Sequence, residues 1–176
     1  MKTPSPENLQ VETHQLSAGA GFPNNPKLPL LVYRQALRGS IVADAVEMLF
    51  DSHSWGGTWQ NGVFGYHHFH SNAHEVLGVC AGSAHIQFGG PTGPVVEVAT
   101  GDVAILPTGT GHKRIEASSG FLVVGAYPVG HEDYDLLRGD PAEQAAAEQR
   151  IAQVPLPKTD PVYGNAGPLF EHWDTD

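Results

Sequence analysis

Residues 62–82 read GVFGYHHFHSNAHEVLGVCAG and hold four of the chain's ten histidines, with Glu75 directly after the last of them. β-Branched and aromatic residues surround these histidines, which favours extended strands with a short polar break between them. Residues two apart in a strand share a face and lie about 6.5–7 Å apart, so His68 and His70 can converge on one ion. The same alternation turns His67 away, and a chain reversal brings Glu75 back beside the pair. The stretch therefore predicts three ligands of a metal site.

Composition indicates an all-β protein and argues against negatively charged partners. The 176 residues are enough for one domain with a sizeable core, and 21 glycines and 14 prolines favour short strands joined by turns. Nine Lys+Arg against 19 Asp+Glu give a net charge of −10, which argues against nucleic-acid and anionic-membrane partners. A polar N-terminus, a single cysteine and the lack of a long apolar run predict a cytoplasmic protein.

The chain divides into three parts by composition. Residues 1–26 are rich in Pro and Gly and read as an N-terminal arm without regular structure. Residues 27–130 contain five or six short strand candidates and form the predicted barrel domain, with motifs at 62–82 and 101–116. Residues 131–176 are predicted to form a helix and an irregular apolar tail, which packs on the barrel or on a neighbouring subunit.

Two helices are expected outside the barrel strands. Ser40 can cap the first, because apolar residues recur at helical spacing from there to Phe50. Residues 54–62 are expected to end that helix and lead into the first motif. Asp140 before Pro141 predicts the start of the second helix, which reaches about residue 153.

A second histidine-bearing stretch, GDVAILPTGTGHKRIE, occupies residues 101–116. A strand ends at Pro107, a glycine-rich turn reverses the chain, and His112 opens the next strand. In a closed antiparallel barrel, His112 can lie across from His68 and His70.

The two stretches together resemble the two motifs of the cupin superfamily. The first family motif is Gly, five residues, His-any-His, three or four residues, Glu, six residues and Gly, and the chain supplies Gly62, His68, His70, Glu75 and Gly82. The second is Gly, five residues, Pro-any-Gly, two residues, His, three residues and Asn, and the chain supplies Gly101, Pro107, Gly109 and His112. Glu116 stands where the family has Asn.

The resemblance implies a single-domain, metal-binding cupin, similar to uncharacterised bacterial cupin-domain proteins. Its fold would be a double-stranded β-helix, or jelly-roll barrel, with a few peripheral helices. One divalent metal ion would lie near the barrel interior, held by His68, His70, Glu75 and His112. Three imidazoles and one carboxylate suit Fe, Mn, Ni, Co or Zn, and four protein ligands leave up to two positions open.

Five further residues are candidates for the substrate pocket. Arg114 and Glu116 share parity with His112, and Tyr66 shares parity with His68. Tyr127 belongs to a strand expected to neighbour the site, and Trp59 lies near the expected barrel mouth. The alternative for the charged pair is an Arg–Glu interaction that satisfies itself, and for the aromatic residues it is core packing. Cys80 has the opposite parity to Glu75 and is expected to be a small buried hydrophobe facing away from the metal.

The function predicted from these features is coordination of a small organic molecule by the open metal. A metal-dependent dioxygenase, isomerase or decarboxylase fits this prediction. So does a non-catalytic binding module or sensor, or a barrel in which the metal only stabilises the fold. Short open β-edges and an apolar tail predict a homodimer.

Overall fold

Two antiparallel sheets dominate the computed structural model, which describes residues 1–19 and 21–173. The strands are β1 Gln10–His14, β2 Leu30–Arg34, β3 Trp55–Asn61, β4 Glu75–Ala81, β5 Ser83–Phe88, β6 Val95–Ala99, β7 Val103–Leu106, β8 His112–Ala117 and β9 Leu122–Pro128. One sheet has six strands in the order β1-β2-β7-β4-β9-β3, and the other has three in the order β6-β5-β8. The predicted all-β jelly roll is confirmed.

The helices lie outside the sheets. They are α1 Ala43–Ser52, α2 Gln144–Ile151 and α3 Pro168–His172, with 3-10 turns at Pro6–Asn8 and Pro141–Glu143. Within the described ranges, no helix is both long and apolar enough to cross a membrane.

The core between the two sheets is the interior of the barrel. Leu77 and Val79 of β4 are buried there together with Ile86 and Phe88 of β5. Because side chains alternate along a strand, Glu75 at the start of β4 shares the face of Leu77 and Val79. Strand β4 therefore delivers a carboxylate to the inside of the barrel.

The opposite face of the six-stranded sheet is also covered. Val76 and Cys80 of β4 pack in a second core with Phe50 of α1. Helix α1 lies close to β4 because Gly78 has no side chain; a Cβ there would come within 3.0 Å of Phe50. Cys80 is buried on this outer face, as predicted, and burial raises the pKa of its thiol to about 11.

The C-terminal tail packs on its own barrel. The indole N–H of Trp173 donates a hydrogen bond to the carbonyl of Pro29, 2.8 Å away. The buried carboxylate of Asp160 organises the turn before α3 by accepting from the Tyr33 hydroxyl and from the backbone N–H groups of Val162, Tyr163 and Leu169. These contacts seat the tail on the barrel of its own chain.

Several predicted element assignments need correction. The arm contains β1, which pairs with β2 from Gln10–Arg34 to His14–Leu30, so residues 1–26 are not all irregular. Residues 54–62 hold the edge strand β3. Helix α1 begins at Ala43 after Val42, and Ser40 does not cap it. The tail contains the short helix α3. The second predicted helix is confirmed, with Asp140 accepting from the N–H of Ala142 at its first turn.

Candidate metal centre

His68 and His70 lie on a short extended segment between β3 and β4. The backbone of His68 pairs with that of His112 through hydrogen bonds of 3.2 and 2.9 Å. Phe69 turns the other way and packs against Phe22, whose ring also contacts His67 at 5.5 Å between centroids. The strand predicted here is reduced to isolated bridges, but the alternation it implied is present.

The three imidazoles of His68, His70 and His112 form a buried cluster. One ring nitrogen of each lies within 4.8 Å of those of the other two. The Nδ1 atoms face backbone carbonyls: His68 that of Tyr66 at 3.1 Å, His112 that of Thr110 at 3.0 Å, and His70 that of Asp135. A carbonyl only accepts, so each Nδ1 carries a proton, and in the neutral ring Nε2 keeps a lone pair for a cation.

The Glu75 carboxylate completes the arrangement. Its Oε2 lies 3.3 Å from Nε2 of His112 and 3.6 Å from Nε2 of His70. Its Oε1 accepts a 2.9 Å hydrogen bond from the Tyr127 hydroxyl, which accepts one of 2.9 Å from the Trp59 indole N–H. Oε2 is buried and has no hydrogen-bond donor in the described part of the chain. A buried carboxylate oxygen without a partner is costly, and a cation between it and the imidazoles would satisfy it.

The protonation states of Glu75 and His68 suit a cation, whereas His70 must give up a proton to bind one. Burial alone would raise the pKa of Glu75, but attraction by His70 and then His112 holds it well below its usual range, so the carboxylate is anionic. Burial lowers the pKa of His68 to about 3, which keeps that imidazole neutral. Burial also disfavours a charge on His70, but the Glu75 carboxylate outweighs it and raises that pKa, so a cation would bind His70 by displacing the proton from its Nε2.

The donor set and its spacing fit a first-row divalent metal. Imidazole and carboxylate ligands suit Fe, Mn, Co, Ni and Zn. Ligand atoms about 2.1 Å from one ion lie at most about 4.2 Å apart. The histidine nitrogens are within 4.8 Å of one another, so the three rings would move closer together to share one ion.

A cavity of about 260 Å³ opens directly onto the four residues of the cluster. Trp59 and Tyr127, two of the five candidate pocket residues, line it. A larger cavity, about 470 Å³, lies between residues 23–28 and α2 and borders none of the four.

The prediction that Glu116 points into the barrel is wrong. Its side chain is 72% exposed, and its carboxylate lies 3.0 Å from Nδ1 of His85 on the outer surface. In the pairing of β5 with β8, His85 is opposite Glu116 and Ile86 is opposite Arg114, which leaves Ile115 as a bulge. The bulge shifts the alternation by one residue and turns Glu116 outward.

Arg114 and Tyr66 are near the site without lining its cavity. The position of a Cβ at Gly62 would be 3.4 Å from a guanidinium nitrogen of Arg114, which places that group beside the motif glycine. The Tyr66 ring stacks on Phe64 and carries the Arg138 guanidinium 3.7 Å above its centre. Tyr66 serves the cluster through its backbone carbonyl, which accepts from His68.

Residues 134–136 belong to the site, although no motif predicts them. The Tyr134 ring stacks on Tyr127 at 4.2 Å and meets His70 edge-on at 4.8 Å. The side-chain carboxylate of Asp135 accepts a 2.6 Å hydrogen bond from the backbone N–H of Ser71, and the backbone carbonyl of Asp135 accepts one from His70. Leu136 lines the cavity. The alternation of Tyr134, Asp135 and Leu136 is the only sequence signal, and it does not indicate a location.

Comparison with known proteins identifies a relative. A scan against models of protein families found no match. The uncharacterised protein YjlB of Bacillus subtilis (strain 168) is 40% identical over 164 residues, which cover 93% of this chain and 97% of that protein.

Solved structures show only low overall similarity. An uncharacterised protein with a double-stranded β-helix domain from Klebsiella pneumoniae has a TM-score of 0.38 at 14% identity, covering 77% of this chain and 83% of its own. Procruciferin, an 11S globulin from Brassica napus, has a TM-score of 0.38 at 14% identity, covering 89% and 40%. Scores this low transfer no activity. The two sheets and both motif spacings are features of this chain itself. The chain belongs to the family of YjlB, and its fold is the cupin double-stranded β-helix.

Proposed function

We propose that this cupin binds one divalent transition-metal ion through His68, His70, Glu75 and His112 and uses it to coordinate a small organic molecule. The observation that carries the proposal is the buried Oε2 of Glu75, which has no donor and faces the Nε2 atoms of two of the imidazoles. The adjoining cavity supplies the space for the organic molecule.

The chemistry we propose is turnover of that molecule by a dioxygenase, isomerase or decarboxylase reaction. A bound ion would supply Lewis acidity toward a coordinated oxygen and, with iron, a partner for dioxygen. The chain's own residues set the geometry: backbone carbonyls orient the imidazoles, and Tyr127 fixes which carboxylate oxygen faces the ion. A purely structural metal is usually enclosed by four ligands, whereas this cluster borders a cavity.

Cobalt substitution tests the proposal, because coordination by Co(II) is visible in the absorption spectrum. Protein stripped with a chelator is expected to take up about one Co(II) per chain. Acetohydroxamate, a small oxygen-donor chelator, should then shift the visible bands. His112→Ala should lose the cobalt spectrum, whereas His85→Ala, at a surface histidine, should keep it.

Two results would overturn the proposal. Failure of the wild-type chain to bind cobalt would remove the metal site. Stoichiometric cobalt whose spectrum does not respond to acetohydroxamate, azide or acetate would indicate a closed, structural metal.

A further inference from the structure

We infer that the organic molecule has a single metal-binding oxygen head, at most one negative charge, and an aromatic or branched aliphatic body of about one ring. The inference rests on the proposed function and names the substrate class of the same site. It excludes phosphorylated and dicarboxylate compounds as the natural ligand.

Large apolar side chains form part of the exposed mouth of the cavity, which also carries the polar residues Gln60 and Asn61. Phe64, Tyr134 and Leu136 all line it, with exposed fractions of 46%, 39% and 40%. They come from two segments about 70 residues apart in sequence, so the grouping is a product of the fold. Large apolar side chains gathered at a cavity mouth are typical of a surface that a ligand covers.

The rim of the cavity, formed by Phe64, Tyr134 and Leu136, is held in place by aromatic contacts with neighbouring side chains. Phe64 stacks on Tyr66 at 4.8 Å and meets His68 edge-on at 5.2 Å. Tyr134 stacks on Tyr127. Rings fixed in this way lose little freedom when a ligand packs on them, so they favour a flat apolar body.

The charges near the cavity limit the ligand's charge. None of the fourteen residues that line it is lysine or arginine. Two guanidinium groups lie close by without lining the cavity: that of Arg138 lies over the Tyr66 ring, and that of Arg114 lies beside the lining residue Gly62. Recognition of a phosphate or a second carboxylate normally uses Arg or Lys. A divalent ion with one carboxylate ligand leaves one positive charge, which a single anionic head neutralises.

The size of the cavity sets the size of the ligand. A cavity of about 150 Å³ holds benzene. The cavity here is about 260 Å³, which leaves room for one ring and a short head that reaches the metal.

Two hydroxamates with the same metal-binding head and different bodies show how much the body contributes to affinity. Acetohydroxamate and benzohydroxamate, together with oxalate, would be titrated into the Co(II)-loaded full chain and followed by visible absorption. Each affinity is divided by that of the same compound for free Co(II). We expect benzohydroxamate to bind about tenfold more tightly than acetohydroxamate, because the ring buries apolar surface, and oxalate to bind more weakly than either.

Variants test whether the preference for benzohydroxamate over acetohydroxamate depends on the exposed apolar residues at the cavity mouth. Phe64→Ala, measured on preparations that hold one cobalt per chain, should reduce the benzohydroxamate preference to about threefold or less. Ile115→Ala is the matched control, because Ile115 is equally exposed, at 48%, and does not line the cavity; it should keep the full preference.

The failures of the two proposals are distinguishable. Absence of cobalt binding, or of any spectral response to either hydroxamate, contradicts the proposed function. Cobalt-loaded protein that binds both hydroxamates equally, prefers oxalate, or keeps its preference in Phe64→Ala contradicts the substrate class and leaves the metal centre in place.

Discussion

A directed hydrogen-bond chain runs from Trp59 through Tyr127 to the carboxylate of Glu75 in the candidate metal centre. An indole N–H can only donate, so Tyr127 receives from Trp59 and donates to Oε1 of Glu75. Burial and the adjacent carboxylate raise the pKa of Tyr127, so its hydroxyl keeps its proton at neutral pH. The hydrogen-bond chain therefore holds Oε1 of Glu75 in place and leaves Oε2 free to bind an ion.

The hydrogen bond from Tyr127 to Glu75 should matter for metal affinity. Tyr127→Phe removes the donor and keeps the ring that stacks on Tyr134, so the fold should survive. We expect affinity for Zn(II) to fall about 10–100-fold, the usual effect of losing a partner that orients a ligand. Competition with a chromophoric chelator measures it. Tyr134→Phe is the control, because it leaves the bond to Glu75 intact; equal zinc affinity in the wild type and Tyr127→Phe would contradict the role.

The site residues that could be predicted from the sequence depend on local spacing. His68, His70 and Glu75 lie within one motif, so alternation along the chain is enough to group them. The same argument fails for Glu116, because the bulge at Ile115 breaks the alternation along β8. The residue types around Ile115 do not predict this bulge. Tyr134 reaches the site only through the path of the chain after β9, which no local rule describes.

At the scale of elements, His74 links three parts of the fold. Its Nδ1 accepts from the backbone N–H of Thr108, and its Nε2–H donates to the carbonyl of Pro155 at 3.2 Å. The ring lies 4.9 Å from that of Trp173 in the tail. A protonated ring could not accept from Thr108, so this junction requires neutral histidine.

The junction predicts a loss of stability in acid. Burial lowers the pKa of His74 from 6.5 to about 4. A folded-state pKa below the unfolded one gives stability that is present above pH 6.5 and is lost as the pH falls to about 4. The loss is at most about 3 kcal/mol, since one pKa unit is worth 1.36 kcal/mol.

Urea unfolding at several pH values measures this contribution. His74→Gln should be less stable than wild type at pH 7, and the difference should shrink between pH 6.5 and 4 because glutamine does not titrate. His85→Gln, at a surface position, should follow the wild-type curve. A difference between wild type and His74→Gln that stays constant over this range would contradict the role.

Elements missed by the sequence interpretation are those whose pattern is weak. Strand β1 reads QVETH and lies at the edge of the sheet, partly exposed, so it lacks a clear apolar face. Strand β3 contains two glycines and pairs with β9 through a register shift. Both are recognisable only beside the strands that they pair with.

At the scale of the whole molecule, the six-stranded sheet is covered on both faces. The smaller sheet covers its inner face, and α1 and the C-terminal tail cover the outer one. The motif spacings predict the barrel between about 60 and 128. They do not predict how the arm and tail dock, because these contacts join residues such as Tyr33 and Asp160, 127 positions apart.

The most direct test of the account is the metal content of the untagged protein after stripping and reconstitution, measured by elemental mass spectrometry. We expect about one ion per chain in the wild type and almost none in the His68→Ala, His112→Ala double variant, with circular dichroism showing that both are folded. Full occupancy in the double variant, or no uptake by the wild type, would contradict the assignment of these residues to a metal centre.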